Sequence, residues 1–223
     1  MRNESDYVAI AARALGTDQM TEFDAAFDVE RVSVSATFAD RDKRLMAMTA
    51  LMKETILGLH ARDWETHAEL WNIGLHINLA AQDLSVLVWQ LCAERGIWAR
   101  KLAGRHIALM LFETVEGLSR LLGGEIRQAL QSLGVGERYK PDLRMIGKPL
   151  ADFRKEHLAE LKTIRNGVAA HRGHNGIAYL GQIEQLDIAR LRDLGLQFSP
   201  IINAIGETLQ GILVATSEIA PPQ

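Results

Sequence analysis

The sequence predicts an all-α protein, a helical bundle, on three observations. Apolar residues recur at spacings of three and four over most of the chain, and glycine and proline fall where those runs stop. Alternation of apolar and polar residues, the mark of a half-buried strand, is confined to one short stretch near the amino terminus.

That stretch is Val29 to Phe38, within an N-terminal portion (1–39) read as an arm or short helix; Val32, Val34, Ala36 and Phe38 alternate with polar residues, predicting a short strand or an extended arm. From residue 40 to the end the chain reads as one bundle domain. Asp40 is placed to cap a helix carrying Leu45, Met48, Met52, Ile56 and Leu59. A second helix starts at Asp63 or Trp64 and runs through Leu79, with Leu70, Ile73 and Ile77 on one side. A third, capped by Asp83, carries Leu84, Leu87, Val88, Leu91 and Cys92 as far as Gly96. The fourth, about 97–122, is apolar nearly all round, which predicts a place inside the bundle or at a subunit contact. Gly123 and Gly124 end it, a short helix reaches about Leu133, and Gly134 to Pro149 reads as a loop. The next helix covers about 150–172, with Gly173 and Gly176 as its stop. The last runs from about Leu186 to Thr216, either kinked or broken in two just before Pro200, because proline lacks the backbone donor a helix interior uses.

Composition narrows the function classes. The chain has 223 residues, 48% hydrophobic and 24% charged, a globular balance and long enough to bury a sizeable core without cross-links. Its one cysteine, Cys92, excludes an internal disulfide and a cysteine-based zinc site within one chain, and its neighbours predict a buried thiol. The polar start Met1 to Asp6 does not resemble a signal peptide, and no uninterrupted apolar run reaches the roughly 20 residues of a membrane span, so a cytoplasmic, non-membrane protein is expected. Net charge is −3, yet the segment Glu137 to His174 holds nine Lys/Arg against five Asp/Glu. That asymmetry predicts either a positive patch on an acidic body or an ordinary solvated helix face. Phosphate-binding glycine loops, a nucleophile elbow and a zincin helix are absent, which disfavours nucleotide-driven motors, dinucleotide-dependent dehydrogenases and serine hydrolases.

The segment that carries chemistry is Arg165-Asn166-Gly167-Val168-Ala169-Ala170-His171. Leu161, Ile164, Val168 and His171 follow at helical spacing, which sets the imidazole on the edge of an apolar stripe. Arg165, six residues before the histidine, lies about 120° away around an ideal helix. A neutral imidazole is what a general base requires, and a fixed guanidinium can hold a phosphate and the extra charge of its transition state. The same residues also fit a structural role, in which the histidine bonds a carbonyl while Arg165 and Asn166 satisfy the helix end.

This segment, with Ile164 before it and Arg172 after it, is similar to the signature of the HEPN superfamily, an Arg, often followed by Asn or Asp, then a His after four to six intervening residues; here five intervene. The resemblance is sharpest over about ten residues and extends loosely over 97–216. It implies an all-α bundle and a metal-independent endoribonuclease of the toxin or antiviral kind. It further implies that His171 takes the proton of a ribose 2′-hydroxyl, Arg165 stabilises the phosphoryl oxygens, Asn166 orients the motif, and cleavage leaves a cyclic phosphate. A homodimer in which two motifs face one cleft is implied as well. Members that bind RNA or a nucleotide without cutting, or act only structurally, leave those readings open, as they do an antitoxin or other protein partner. Arg172, Lys162 and His174, beside the motif, are the candidate substrate contacts, and no cofactor is called for.

Other groups are read as structural. His171 and His174, with His157 upstream, lack a well-spaced third metal ligand, so no metal is assigned. His60, His67 and His76 are expected at the surface, and Trp64, Trp71, Trp89 and Trp98 in the core.

Overall fold

The computed structural model describes residues 21–169 and 176–219, and over these the chain is helical, with no strand among the described residues. The helices are α1 (Thr21–His60), α2 (Glu65–Ala93), α3 (Ile97–Arg120), α4 (Ile126–Ser132), α5 (Gly136–Ile164), α6 (Gly176–Glu184) and α7 (Ile188–Thr216). Two wider π-helical turns, Leu121–Glu125 and Arg165–Ala169, extend α3 and α5.

The all-α expectation holds, and the differences lie in where elements begin and end. Val29 to Phe38 is helix, not strand or extended arm, because α1 runs without interruption to His60. Val29 and Val32 face water, while Phe27 is buried and Phe38 is half-buried against Trp89, so tertiary contact rather than alternation sets the conformation. Asp24 bridges Arg95 and Arg100 at 3.0 and 2.5 Å, tying the start of α1 to the α2–α3 junction. Asp40 and Asp83 were expected as helix caps; both lie inside continuous helices, α1 and α2. The α1 end is closed instead by Asp63 in the left-handed conformation (φ 59°), with Trp64 N–H reaching back to Leu59 O at 3.0 Å.

Gly123 and Gly124 do not end the fourth helix. The backbone widens to a π turn there, which keeps Leu122 and Ile126 both buried and leaves the glycines outside. The stop comes at Gly134 (φ +75°), where Val135 N–H bonds Leu130 O at 3.0 Å.

The expected loop from Gly134 to Pro149 is mostly helix, since α5 passes through Pro141 and Pro149. α7 likewise passes through Pro200. All three prolines are exposed, and so are Glu137, Met145 and Leu196 one turn earlier, whose carbonyls lose their helical donor. Water can satisfy those carbonyls, so proline costs less here than in a packed interior. Ser199 Oγ additionally donates to Gly195 O at 3.0 Å.

The core is centred on α3, which packs against α2, α5 and α7. Ile107, Ala108, Leu111 and Val115 of α3 are fully buried, as are Leu84 and Leu91 of α2 and Leu194, Phe198, Ile202 and Ile205 of α7. By length and composition α7 also qualifies as a membrane span, a candidate that counting unbroken apolar runs passes over because Pro200 and the charges near its start interrupt it; in this fold its apolar face closes the bundle. Trp71 is buried and Trp64 and Trp89 pack on the core, whereas Trp98 is 51% exposed, against expectation. His67, expected at the surface, is buried against Trp64 with Nε2 at 3.2 Å from Thr216 O. His60 and His76 are exposed.

α2 and α7 approach closely at Gly195, where an added Cβ would stand 2.8 Å from Val88 Cγ2. Gly195→Ala is expected to lower stability by about 1–2 kcal/mol despite alanine's better helix propensity, read as a fall in melting temperature of about 3–6 °C. Burial pushes the Cys92 thiol up to about 11. Thiol titration of the native protein near neutral pH should therefore proceed only as fast as unfolding, and immediate labelling would contradict this packing.

Candidate functional site

The motif begins where α5 ends. Arg165 N–H still closes α5 on Leu161 O and Lys162 O, and the wider π turn that follows presses against α3 and α6. Leu161 is fully buried and Ile164 packs on the core, so the apolar stripe leading into the motif faces inward as its spacing predicts.

The Arg165 side chain lies across α3. Its Cζ sits 5.2 Å from the centre of the Phe112 ring, Nη2 is 3.1 Å from Glu113 Oε1, and Nη1 is 3.2 Å from Asn166 Oδ1. Nε is buried without a hydrogen-bond partner among the described residues, while the side chain as a whole is 31% exposed. Phe112 thus gives the cation a platform and Glu113 a counter-charge, and both sit near the surface. Asn166 is exposed and orients the guanidinium through its carbonyl oxygen. Gln182 of α6 lies over Gly167, its Cδ 3.7 Å from where a Cβ would stand.

His171, Arg172 and His174 lie outside the described residues. Of the residues named from the sequence, the structure brings Arg165 and Asn166 into contact and places Lys162 one turn before them, in the lining of a groove that does not include Arg165. His157, by contrast, is interior: it is buried, packs edge-on to Phe153 at 4.6 Å, and its Nδ1 lies 3.2 Å from Arg190 Nη2. Its role is structural, linking α5 to α7.

After residue 175 the chain is tied back to α3. Lys101, 2% exposed, donates from Nζ to Glu184 O at 2.9 Å and Leu186 O at 2.6 Å, capping the α6 carboxyl end. Burial holds its pKa below the ordinary lysine range. One turn on, the buried Arg105 donates to the Tyr179 hydroxyl. The chain is therefore anchored to the same helix, α3, before and after the motif.

Lys162 opens onto a groove of about 820 Å³ running along α5 beside the π turn Leu121–Glu125. Arg127, Arg144, Lys148, Arg154, Lys155 and Lys162 line it, and among the described residues no carboxylate does. Its floor is apolar and small, built from Leu122, Leu143, Leu150 and Leu158 with Gly147, Ala151 and Ala159. The charge asymmetry read from Glu137 to His174 is thus gathered largely on one face of α5. Arg127 comes from α4, outside that segment, and only the fold brings it there.

Sequence reasoning also missed Phe112 and Glu113. Their position on a nearly all-apolar helix gave no sign that Arg165, more than 50 residues away, would rest on them.

Compared with known protein families, characterised proteins and solved structures, the chain matches none.

The Arg165–Glu113 pair is open to water on its carboxylate side, so it should contribute little to folding. Glu113→Gln is expected to change stability by less than about 1 kcal/mol, a melting shift under about 3 °C. A larger fall would mean that the pair is a structural lock rather than a replaceable contact.

Proposed function

We propose that the chain is a metal-independent endoribonuclease of the HEPN kind, cutting RNA at the segment from Arg165 to His171. The observation that carries the reading is Arg165 itself: a guanidinium seated on an aromatic ring at the mouth of the motif, held by one exposed carboxylate that a phosphate can replace.

In the proposed reaction His171 accepts the proton of a ribose 2′-hydroxyl, and that oxygen attacks the adjacent phosphorus. The bond to the 5′ oxygen of the next nucleotide breaks, and the departing oxygen takes a proton from the imidazolium or from water. The products are a 2′,3′-cyclic phosphate and a free 5′-hydroxyl. Arg165 balances charge on the phosphoryl oxygens, and Asn166 keeps the guanidinium turned toward them. Lys162, Arg172 and His174 contact the flanking strand. A homodimer would set two such motifs across one cleft, and a protein antitoxin would act by covering it.

A second reading is favoured by one feature. Arg165 is already paired with Glu113, an arrangement that also suits a helical protein which binds RNA, a nucleotide or a partner without cutting.

Cleavage of single-stranded RNA in EDTA separates the two. His171→Ala should lower the rate by about 10²–10⁴-fold and Arg165→Ala by about 10²–10³-fold, with helicity by circular dichroism unchanged. RNA that stays intact with the unaltered protein refutes the nuclease reading. If His171→Ala chiefly lowers the melting temperature and dissociates a dimer, the motif is structural.

A further inference from the structure

We propose that the groove along α5 is a track for single-stranded RNA, gripping the sugar-phosphate backbone at its rim and seating bases on its floor. That the strand then reaches the motif rests on the nuclease reading; that the groove binds it does not.

The charge pattern comes first. Six cations line one concavity, and among the described residues only Arg154 has an ion-pair partner, Glu116 at 2.9 Å. Like charges gathered this way repel one another and destabilise the free fold, a cost that a bound polyanion offsets. The protein as a whole carries net charge −3, so non-specific attraction to polyanions would have to overcome the body rather than be assisted by it. The attraction is local to this face.

Shape selects among polyanions. From Arg144 to Lys162 the groove-facing stripe of α5 covers roughly 27 Å at 1.5 Å per residue, room for several nucleotides in succession. Small residues on that stripe, Gly147, Ala151 and Ala159, hollow it out, and the exposed alanines with half-buried Leu158 offer an apolar bed. Bases splayed from a single strand can lie on such a bed, while a duplex keeps its bases stacked inside and offers only its backbone.

Position gives the track a direction. Lys162 stands at the end of the groove, and Arg165 begins the next turn of the same chain. A strand lying along α5 would emerge beside the guanidinium that rests on Phe112.

The test uses the full-length chain carrying His171→Ala, so that RNA survives, and a fluorescent oligouridylate of about 12 nucleotides. With about five phosphate contacts, affinity should fall roughly a hundredfold between about 50 and 200 mM salt. Lys148→Glu with Lys155→Glu should weaken binding at least about 30-fold, and Ala151→Glu, a change on an exposed helix surface, about tenfold, with melting temperatures no lower than the parent's. Lys53→Glu, at an exposed position of α1 outside the groove, should leave affinity within about threefold, and a duplex RNA of equal length should bind more weakly than the single strand. Groove variants that bind as tightly as their parent overturn the proposal. So does duplex binding equal to the single strand, or groove-dependent capture on phosphatidylserine vesicles without RNA binding. If binding follows the groove variants yet the unaltered protein never cuts RNA, the nuclease reading fails and the track stands. If the unaltered protein cuts and the Lys148→Glu, Lys155→Glu chain without the His171 change cuts equally well, the track fails and the nuclease stands.

Discussion

The motif, the segment after it and the basic groove all depend on one helix. α3 packs on three sides against α2, α5 and α7 through side chains withdrawn wholly from water, among them Ile107, Leu111 and Val115. Burying each such side chain contributes on the order of 1.5–3 kcal/mol, which makes α3 the least movable element of the bundle. Its edges then serve as attachment points. Lys101 and Arg105 hold the α6 region, Phe112 and Glu113 receive Arg165, and Glu116 takes Arg154 at the groove rim. One rigid element thus registers the motif, the chain beyond it, and the basic groove.

The buried lysine shows what this registration costs. An ammonium inside the protein loses its hydration, and two carbonyls at the end of α6 stand in for water. Carbonyls at a helix carboxyl end carry partial negative charge, so the pairing is electrostatically sound without a carboxylate in direct contact. Its folded-state pKa is lowered, so across the alkaline interval below the free lysine value the unfolded chain binds more protons. Over that interval the group's contribution to stability rises with pH. A hydrophobic residue here would avoid the desolvation but leave the α6 end uncapped. Placing the cap on α3 fixes the segment that returns from the motif.

Two kinds of cation follow from this arrangement. Arg165 is held loosely, by an aromatic face and an exposed carboxylate, so an incoming phosphate meets a competitor of modest strength rather than a buried ion pair. The groove cations, apart from Arg154, meet no competitor among the described residues. An anionic strand would therefore engage the groove at less cost than the motif, with Glu113 setting the threshold for the second step.

The helical class was determined by the sequence itself, because the spacing of apolar residues is a local property that each segment carries alone. So were the inward stripe of Leu161 and Ile164 and the positive excess between Glu137 and His174. Boundaries were a tertiary decision. Pro141, Pro149 and Pro200 would interrupt helices in isolation, yet exposure of the freed carbonyls lets α5 and α7 continue, and packing of Phe27 and Phe38 overrides the alternation of Val29 to Phe38. Tertiary structure alone also brought Phe112 and Glu113 under Arg165 and Arg127 into line with α5, since residues far apart in the chain share a surface only once a common core forces them together.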